Sequence, residues 1–306
     1  MRYQLFFLCV LASCGDVPGV MTDAQPPDAP TNDVPPDADL RPCDPTLPFG
    51  DVRQVPGITT TDGESNTGLS NDELTIYFFS NRQSPGTADF DAYVATRPTR
   101  DAMFSAAGPL TAVNTSGDER GGSISSDGRA LFFHSSRTGS YDLYVATRAN
   151  VSAPFGTPTG VAGLNTTDAD QQPFISADGA SLYFDRTPTG GQTSIYRASS
   201  SVTGFTDPVA VSELSLVGTN SLRPVLSADG LTIFFSSDRA GGAGSLDIWT
   251  ATRPSLTAPF EQVSNVTALN ASSFEFADWI SPDGCRIYFT SGRGGSADLW
   301  QATRPL

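Results

Sequence analysis

Five positions about fifty residues apart carry the side chains most open to a chemical role: Glu64, Glu119, Asp170, Ser221 and Glu275. Each stands six residues before a serine that opens a turn, so a repeating fold would gather the four carboxylates into one ring. Three chemistries fit such a ring. The carboxylates can pair with neighbouring arginines or accept backbone N–H bonds, which serves the fold. They can bind a basic protein segment or a hard cation such as calcium, which prefers oxygen ligands. Two of them can also act as acid and base on a glycosidic bond, at a separation of roughly 5–9.5 Å. Glu64, Glu119, Asp170 and Glu275 are thus the ligand-binding candidates, and nothing singles out an unequal pair. His134, the one histidine, ends a strand and belongs to no catalytic motif. Nucleophile-elbow, zinc-protease, P-loop and dinucleotide signatures are missing, and the cysteines lack zinc-ligand spacing. No catalytic residue, metal or organic cofactor is assigned.

The elements that would hold these residues repeat with them. A Ser-x-Asp-Gly turn recurs at Asp72, Asp127, Asp178, Asp229 and Asp283, with Glu73 in place of Gly in the first copy. The intervals are 55, 51, 51 and 54 residues, and Phe49, Phe104, Phe155, Phe205 and Phe260 keep nearly the same ones. A period near 50 predicts propeller blades. The fourth copy shows the plan: residues 223–227 read as an inner strand, 231–235 as a second, 247–253 as a third and the stretch around 261–263 as the outermost. Tyr93, Tyr144, Tyr196, Trp249 and Trp300 share one place on the third strand and are expected to pack between blades.

Two further repeated positions are an arginine after the second strand (Arg82, Arg137, Arg239, Arg293) and an aspartate opening the third (Asp91, Asp142, Asp247, Asp298). In the third copy both are lost together, to Pro188 and Ser194. The joint loss predicts structural Arg–Asp pairs bridging that loop.

The recurring Ser-x-Asp-Gly, Leu/Ile-Tyr/Phe-Phe, Ser-x-Arg and Asp-Ile/Leu-Tyr/Trp segments resemble the WD-like repeats of TolB-type β-propellers over residues 48–306. The resemblance implies an all-β, five-bladed propeller of four-stranded blades, with protein partners in the cell envelope. The first repeat unit begins with an outermost-strand segment, 51–55, and the last stops after its third strand at Arg304, so the amino-terminal strand should complete the last blade. Cys43 and Cys285 fall at one end of that blade and are expected to form a disulfide in an oxidising compartment.

The beginning of the chain gives an address. Arg2, the apolar run Leu5–Leu11 and Leu11-Ala12-Ser13-Cys14 resemble a bacterial lipoprotein leader, implying a signal peptide at 1–13 and lipid on Cys14. Residues 14–47, rich in Pro and Asp, read as a disordered stalk. Gly15 slightly favours the outer membrane by analogy with bacterial sorting. With 18 Lys+Arg against 33 Asp+Glu the net charge is −15, which disfavours nucleic acid and leaves the lipid as the expected membrane contact. The resulting expectation is a membrane-anchored, exported binding module whose channel-mouth face meets an envelope or surface protein. A carbohydrate-active hydrolase is the alternative, and an enzymatic role is the less expected of the two.

Overall fold

A computed structural model describes residues 43–83 and 89–306. The leader, Cys14 and the Pro/Asp-rich segment through residue 42 lie outside the described residues.

Twenty strands form five antiparallel sheets of four. The closing strand β1 (Gly50–Gln54) comes first in the chain. Blade one is β2 (Glu64–Leu69), β3 (Thr75–Ser80), β4 (Asp91–Thr96) and β5 (Gly108–Pro109). Blade two is β6 (Glu119–Ile124), β7 (Ala130–Ser135), β8 (Asp142–Thr147) and β9 (Thr159–Gly160). Blade three is β10 (Ala169–Ile175), β11 (Ser181–Thr187), β12 (Ser194–Ser201) and β13 (Gly204–Ala210). Blade four is β14 (Ser221–Leu226), β15 (Thr232–Ser237), β16 (Asp247–Thr252) and β17 (Glu261–Asn265). Blade five is β18 (Glu275–Ile280), β19 (Arg286–Ser291) and β20 (Asp298–Thr303), completed by β1 pairing with β20. The fold is a five-bladed β-propeller closed by its first strand.

Apolar residues on both faces of each sheet produce this ring. The second strands read Ile-Tyr-Phe-Phe, Leu-Phe-Phe-His, Leu-Tyr-Phe-Asp, Ile-Phe-Phe-Ser and Ile-Tyr-Phe-Thr, buried almost without a break. A strand covered on both faces needs sheets on both sides. The core is accordingly five apolar wedges between neighbouring blades. The wedge between blades five and one, for example, joins Tyr288 and Trp279 to Phe78, Tyr93 and Phe104.

Two devices secure the closure of the ring, one within the last blade and one between it and the first. Cys43 and Cys285 are disulfide-bonded, their Cα atoms 5.5 Å apart. Glu73, at φ +60° where later copies have Gly, puts a buried carboxylate between blades. It accepts from Arg286 Nη1 at 2.7 Å and the Tyr288 hydroxyl at 3.1 Å, with Arg97 and Arg100 at 3.5 and 3.6 Å.

The outer edges avoid long, flat strands. β5 and β9 have only two residues each. The three longer outer strands each hold a left-handed residue two places after the repeated Phe: Asp51, Asp207 and Gln262, at φ +47°, +53° and +57°. Breaks of this kind twist an edge away from pairing with another chain.

Candidate functional site: the ring carboxylates and the propeller axis

The four ring carboxylates are fully buried, and each closes a knot within its own blade. Glu119 is the clearest case. It accepts from Thr115 N and Oγ1 at 2.8 and 2.7 Å, from Ser135 Oγ at 2.6 Å and from Arg137 Nη2 at 3.3 Å. Arg137 then donates through Nε to Ser135 and through Nη2 to the Val113 carbonyl, and it stacks over Tyr144 at 4.5 Å. Glu64 repeats this with Thr60, Ser80 and Arg82, and Glu275 with Ala271 N, Ser273, Ser291 and Arg293.

The two irregular copies adapt. In blade three the arginine moves back onto the strand as Arg186, and the shorter Asp170 meets its Nε at 2.7 Å. In blade four Ser221 replaces the acid, and Arg239 satisfies itself on Ser221 Oγ, Ser237 Oγ and the Leu214 carbonyl. Burial lowers the pKa of Arg239 there, with only Asp238 nearby to oppose it.

Two expectations are corrected by this arrangement. Glu64, Glu119, Asp170 and Glu275 are not open to a ligand, because their oxygens face hydroxyls, amides and arginines inside the blades. The arginines also do not pair with the aspartates that open the third strands. Each guanidinium folds back through its serine toward the inner strand, so Arg82, Arg137 and Arg293 meet Glu64, Glu119 and Glu275. Three of the aspartates cap their own loops instead. Asp142 accepts from Thr138 Oγ1, Asp247 from the Ala243 and Gly244 amides, and Asp298 from Ser296 Oγ. Asp91 has its pKa raised, first by burial and then by the carboxylates of Glu119, Asp118 and Asp89. The joint change at Pro188 and Ser194 therefore reflects a remodelled loop rather than a lost pair.

A second arginine knot went unread in the sequence. Arg97, Arg148, Arg253 and Arg304 donate to the carbonyls of Glu73, Gly128, Gly230 and Gly284. They stack over Phe104, Phe155, Phe260 and Phe49 at 4.3–4.5 Å. The repeated Ala-Thr-Arg at the third strand's end, read beside the repeated Phe, was the available signal.

The axis itself is filled. Asn66, Gln172 and Arg223 sit at inner-strand bulges with φ +54°, +52° and +55°, joined by Gly121 at +69°. Asn66 Nδ2 donates to Gln172 Oε1 at 2.6 Å, and Arg223 Nη1 reaches Asp278 Oδ1 at 3.4 Å while its guanidinium covers Phe276 at 3.7 Å. The void left among these residues is about 20 Å³, room for about one water. A larger hollow, about 510 Å³, lies away from the axis between blades one and two, against Tyr77, Arg148 and Phe155.

Second-strand residues reach this axis from every blade, and all five differ: Phe79, His134, Asp185, Ser236 and Thr290. Four of them nevertheless do one job. His134 Nδ1 accepts from Gln172 N, Asp185 from Arg223 N, Ser236 Oγ from Ala277 N and Thr290 Oγ1 from Asn66 N. Each bond ties one blade to the bulge of the next. At the fifth junction Phe79 packs where a Cβ on Gly122 would collide with its ring.

Burial dominates the electrostatics here. It holds His134 well below its usual range, helped by the charges of Arg120 and Arg223. It keeps Asp185 well above the carboxylate range despite Arg223, and pushes Asp278 up to about 6 against Arg223 and the Thr290 hydroxyl. Just outside, Asp118 accepts from Arg120 Nε at 2.7 Å, Tyr141 OH at 2.8 Å and Phe90 N at 2.6 Å.

Formal charge is divided unequally between the two ends of the ring. The end with the Ser-x-Asp turns also bears the third-to-fourth-strand connections, since strand three ends where strand two begins, as in Thr75 facing Thr96. Segments 43–49, 70–75, 97–107, 125–130, 148–158, 176–181, 197–204, 227–232, 253–260, 281–286 and 304–306 hold eight carboxylates and eight arginines. The opposite end comprises, of the described residues, 55–64, 81–83, 89–91, 111–120, 135–142, 162–170, 186–194, 212–221, 237–247, 266–275 and 291–298. It holds fourteen carboxylates and six arginines.

No family model matches the chain, and no curated protein does. Solved structures do. TolB from Acinetobacter baumannii matches with 18% identity and a TM-score of 0.51, over 80% of this chain and 55% of that one. This chain thus spans about half of that protein. A thermostable family-43 glycoside hydrolase matches with 14% identity and a TM-score of 0.56, over 81% of this chain and 90% of that one. An α-L-arabinofuranosidase from Podospora anserina, solved with cellotriose, matches with 12% identity and a TM-score of 0.56, over 86% and 98% of the two chains. At such identities the likeness is one of fold: this chain shares the β-propeller architecture of TolB and of these glycosidases.

Proposed function

We propose that the chain is a non-catalytic binding module of the bacterial cell envelope, held by lipid on Cys14 and working through the end of the ring opposite the cystine. The observation that carries this reading is the excess of fourteen carboxylates over six arginines at that end, above an axis with only about 20 Å³ of free space. Seven of the fourteen are buried, the four ring carboxylates among them, so this end acts through its net negative field, which suits a basic segment of an envelope protein and steers its approach. The resemblance to TolB-type propellers agrees with a protein partner. The hydrolase alternative has less support, because two carboxyls would have to face one sugar and the ring carboxylates each face into a blade.

Capture from detergent-solubilised envelope, followed by titration of the captured protein, tests the reading. Asp62, Asp89 and Asp168 lie at the surface of the acid-rich end, outside the knots. Changing all three to Asn should weaken binding about tenfold, and binding should weaken as salt rises. Equal, salt-independent affinity would sink the proposal. Release of sugar from envelope polysaccharide by the wild type would favour the hydrolase.

A further inference from the structure

We infer that the charge-balanced end of the ring rests on a lipid surface, so that the propeller meets the membrane with its own loops as well as through its anchor. The inference builds on the tethered-module reading and adds a second membrane contact to it.

Exposed aliphatic side chains carry the argument. Among the described residues, the connection from third to fourth strand presents one in each of blades one to four: Met103, Val151, Val202 and Leu256 are 66, 62, 105 and 48% exposed. Leu306, which follows the third strand of blade five, is 72% exposed. Val151 and Leu256 stand against the turn glycines Gly128 and Gly230, so these tips belong to the turn-bearing end. Among the described residues, the opposite end offers exposed large aliphatics only in one loop, at Leu216 and Val217. Single apolar residues on a surface mean little, but one at the same place in each of four successive blades forms a set.

Charge points the same way. By formal net charge, an anionic bilayer repels the end with fourteen carboxylates against six arginines, seven of those carboxylates buried, more than the end where eight face eight. Guanidiniums among the tips can reach phosphates while aliphatic neighbours enter the headgroup boundary. Cys43, where the described residues begin, is at this end as well, bonded to Cys285 beside the last turn. Cys43, apolar tips and neutral charge thus coincide.

Val202 and Val217, 105 and 106% exposed at opposite ends, form a matched pair for the test. Full-length lipidated protein bearing Val202→Cys or Val217→Cys is labelled with an environment-sensitive fluorophore and bound to phosphatidylethanolamine–phosphatidylglycerol vesicles. Aqueous iodide should quench the label at 202 at least about threefold less than the label at 217, and brominated acyl chains should quench only the former. Val151→Cys serves as a second reporter if the first variant misfolds. Equal iodide quenching of both labels on vesicles that carry the protein overturns the lipid-facing end and leaves the tether standing. Wild-type protein that does not float with the vesicles overturns the tether itself, and this inference with it.

Discussion

The knots around the ring carboxylates and the contacts along the axis both hold a blade together at its inner strand, yet they are built by opposite rules. In the knots, one carboxylate must satisfy a threonine amide, two hydroxyls and a guanidinium at once, as Glu119 does. Few side chains meet those demands, so the residues recur. At the axis, the bulge amide of the next blade needs only an acceptor. An imidazole, a carboxylate or a hydroxyl will do, and His134, Asp185, Ser236 and Thr290 supply them in turn. A repeat of geometry need not be a repeat of residues.

The comparison is easiest to break at Glu119. Glu119→Ala should cost about 3–5 kcal/mol in urea unfolding, since it strands the Arg137 guanidinium and three further donors inside the blade. A cost below about 1 kcal/mol would mean that the knots are as permissive as the axis. The next largest effect concerns pH. Asp278 keeps its proton up to about pH 6 in the folded chain, whereas an unfolded aspartate loses it near 4. The folded state therefore binds more protons in that window, and this group's contribution to stability falls as pH rises through it. Relative to Asp278→Asn, the wild type should be more stable at pH 4 than at pH 7 by about 2–3 kcal/mol, measured by urea titration at both values. A constant difference would show that Arg223 keeps Asp278 ionised throughout. The smallest effects belong to the axis. Thr290→Ser, which keeps the acceptor, should cost under about 1 kcal/mol, and Thr290→Val about 1–3 kcal/mol, because the Asn66 amide and Asp278 each lose a partner. Equal costs would place the role of Thr290 in packing alone.

The same contrast explains what could be read before any coordinates. Blade number, strand order, ring closure by the segment 51–55 and the shared end of Cys43 and Cys285 follow from spacing, and the structure shows each, with the closing strand at Gly50–Gln54. The four carboxylates were also found, because their repeat is strict. Their pairing with neighbouring arginines is among the readings the sequence leaves open, but spacing misleads on the partners of those arginines: Asp91 and its counterparts recur as regularly as Glu64 does, and the joint loss at Pro188 and Ser194 resembles a pair. Spacing locates a repeated residue without saying which way its side chain turns. Arg82 turns inward because its Nε is already held by Ser80. The axis left no recurring signal to read. Asp185, Arg223 and Asp278 each occur in one copy only, and the position shared by His134 and Thr290 hides its common task behind five different side chains.

The cystine has a consequence of another order. By joining residue 43 to residue 285, it turns almost the whole propeller into a covalent circle laid over the structural one. A protease that cuts once in any blade between them opens the chain without producing two pieces, and neither end of the ring can peel away alone. For a module exposed to whatever enzymes share its compartment, that circle makes a single nick survivable.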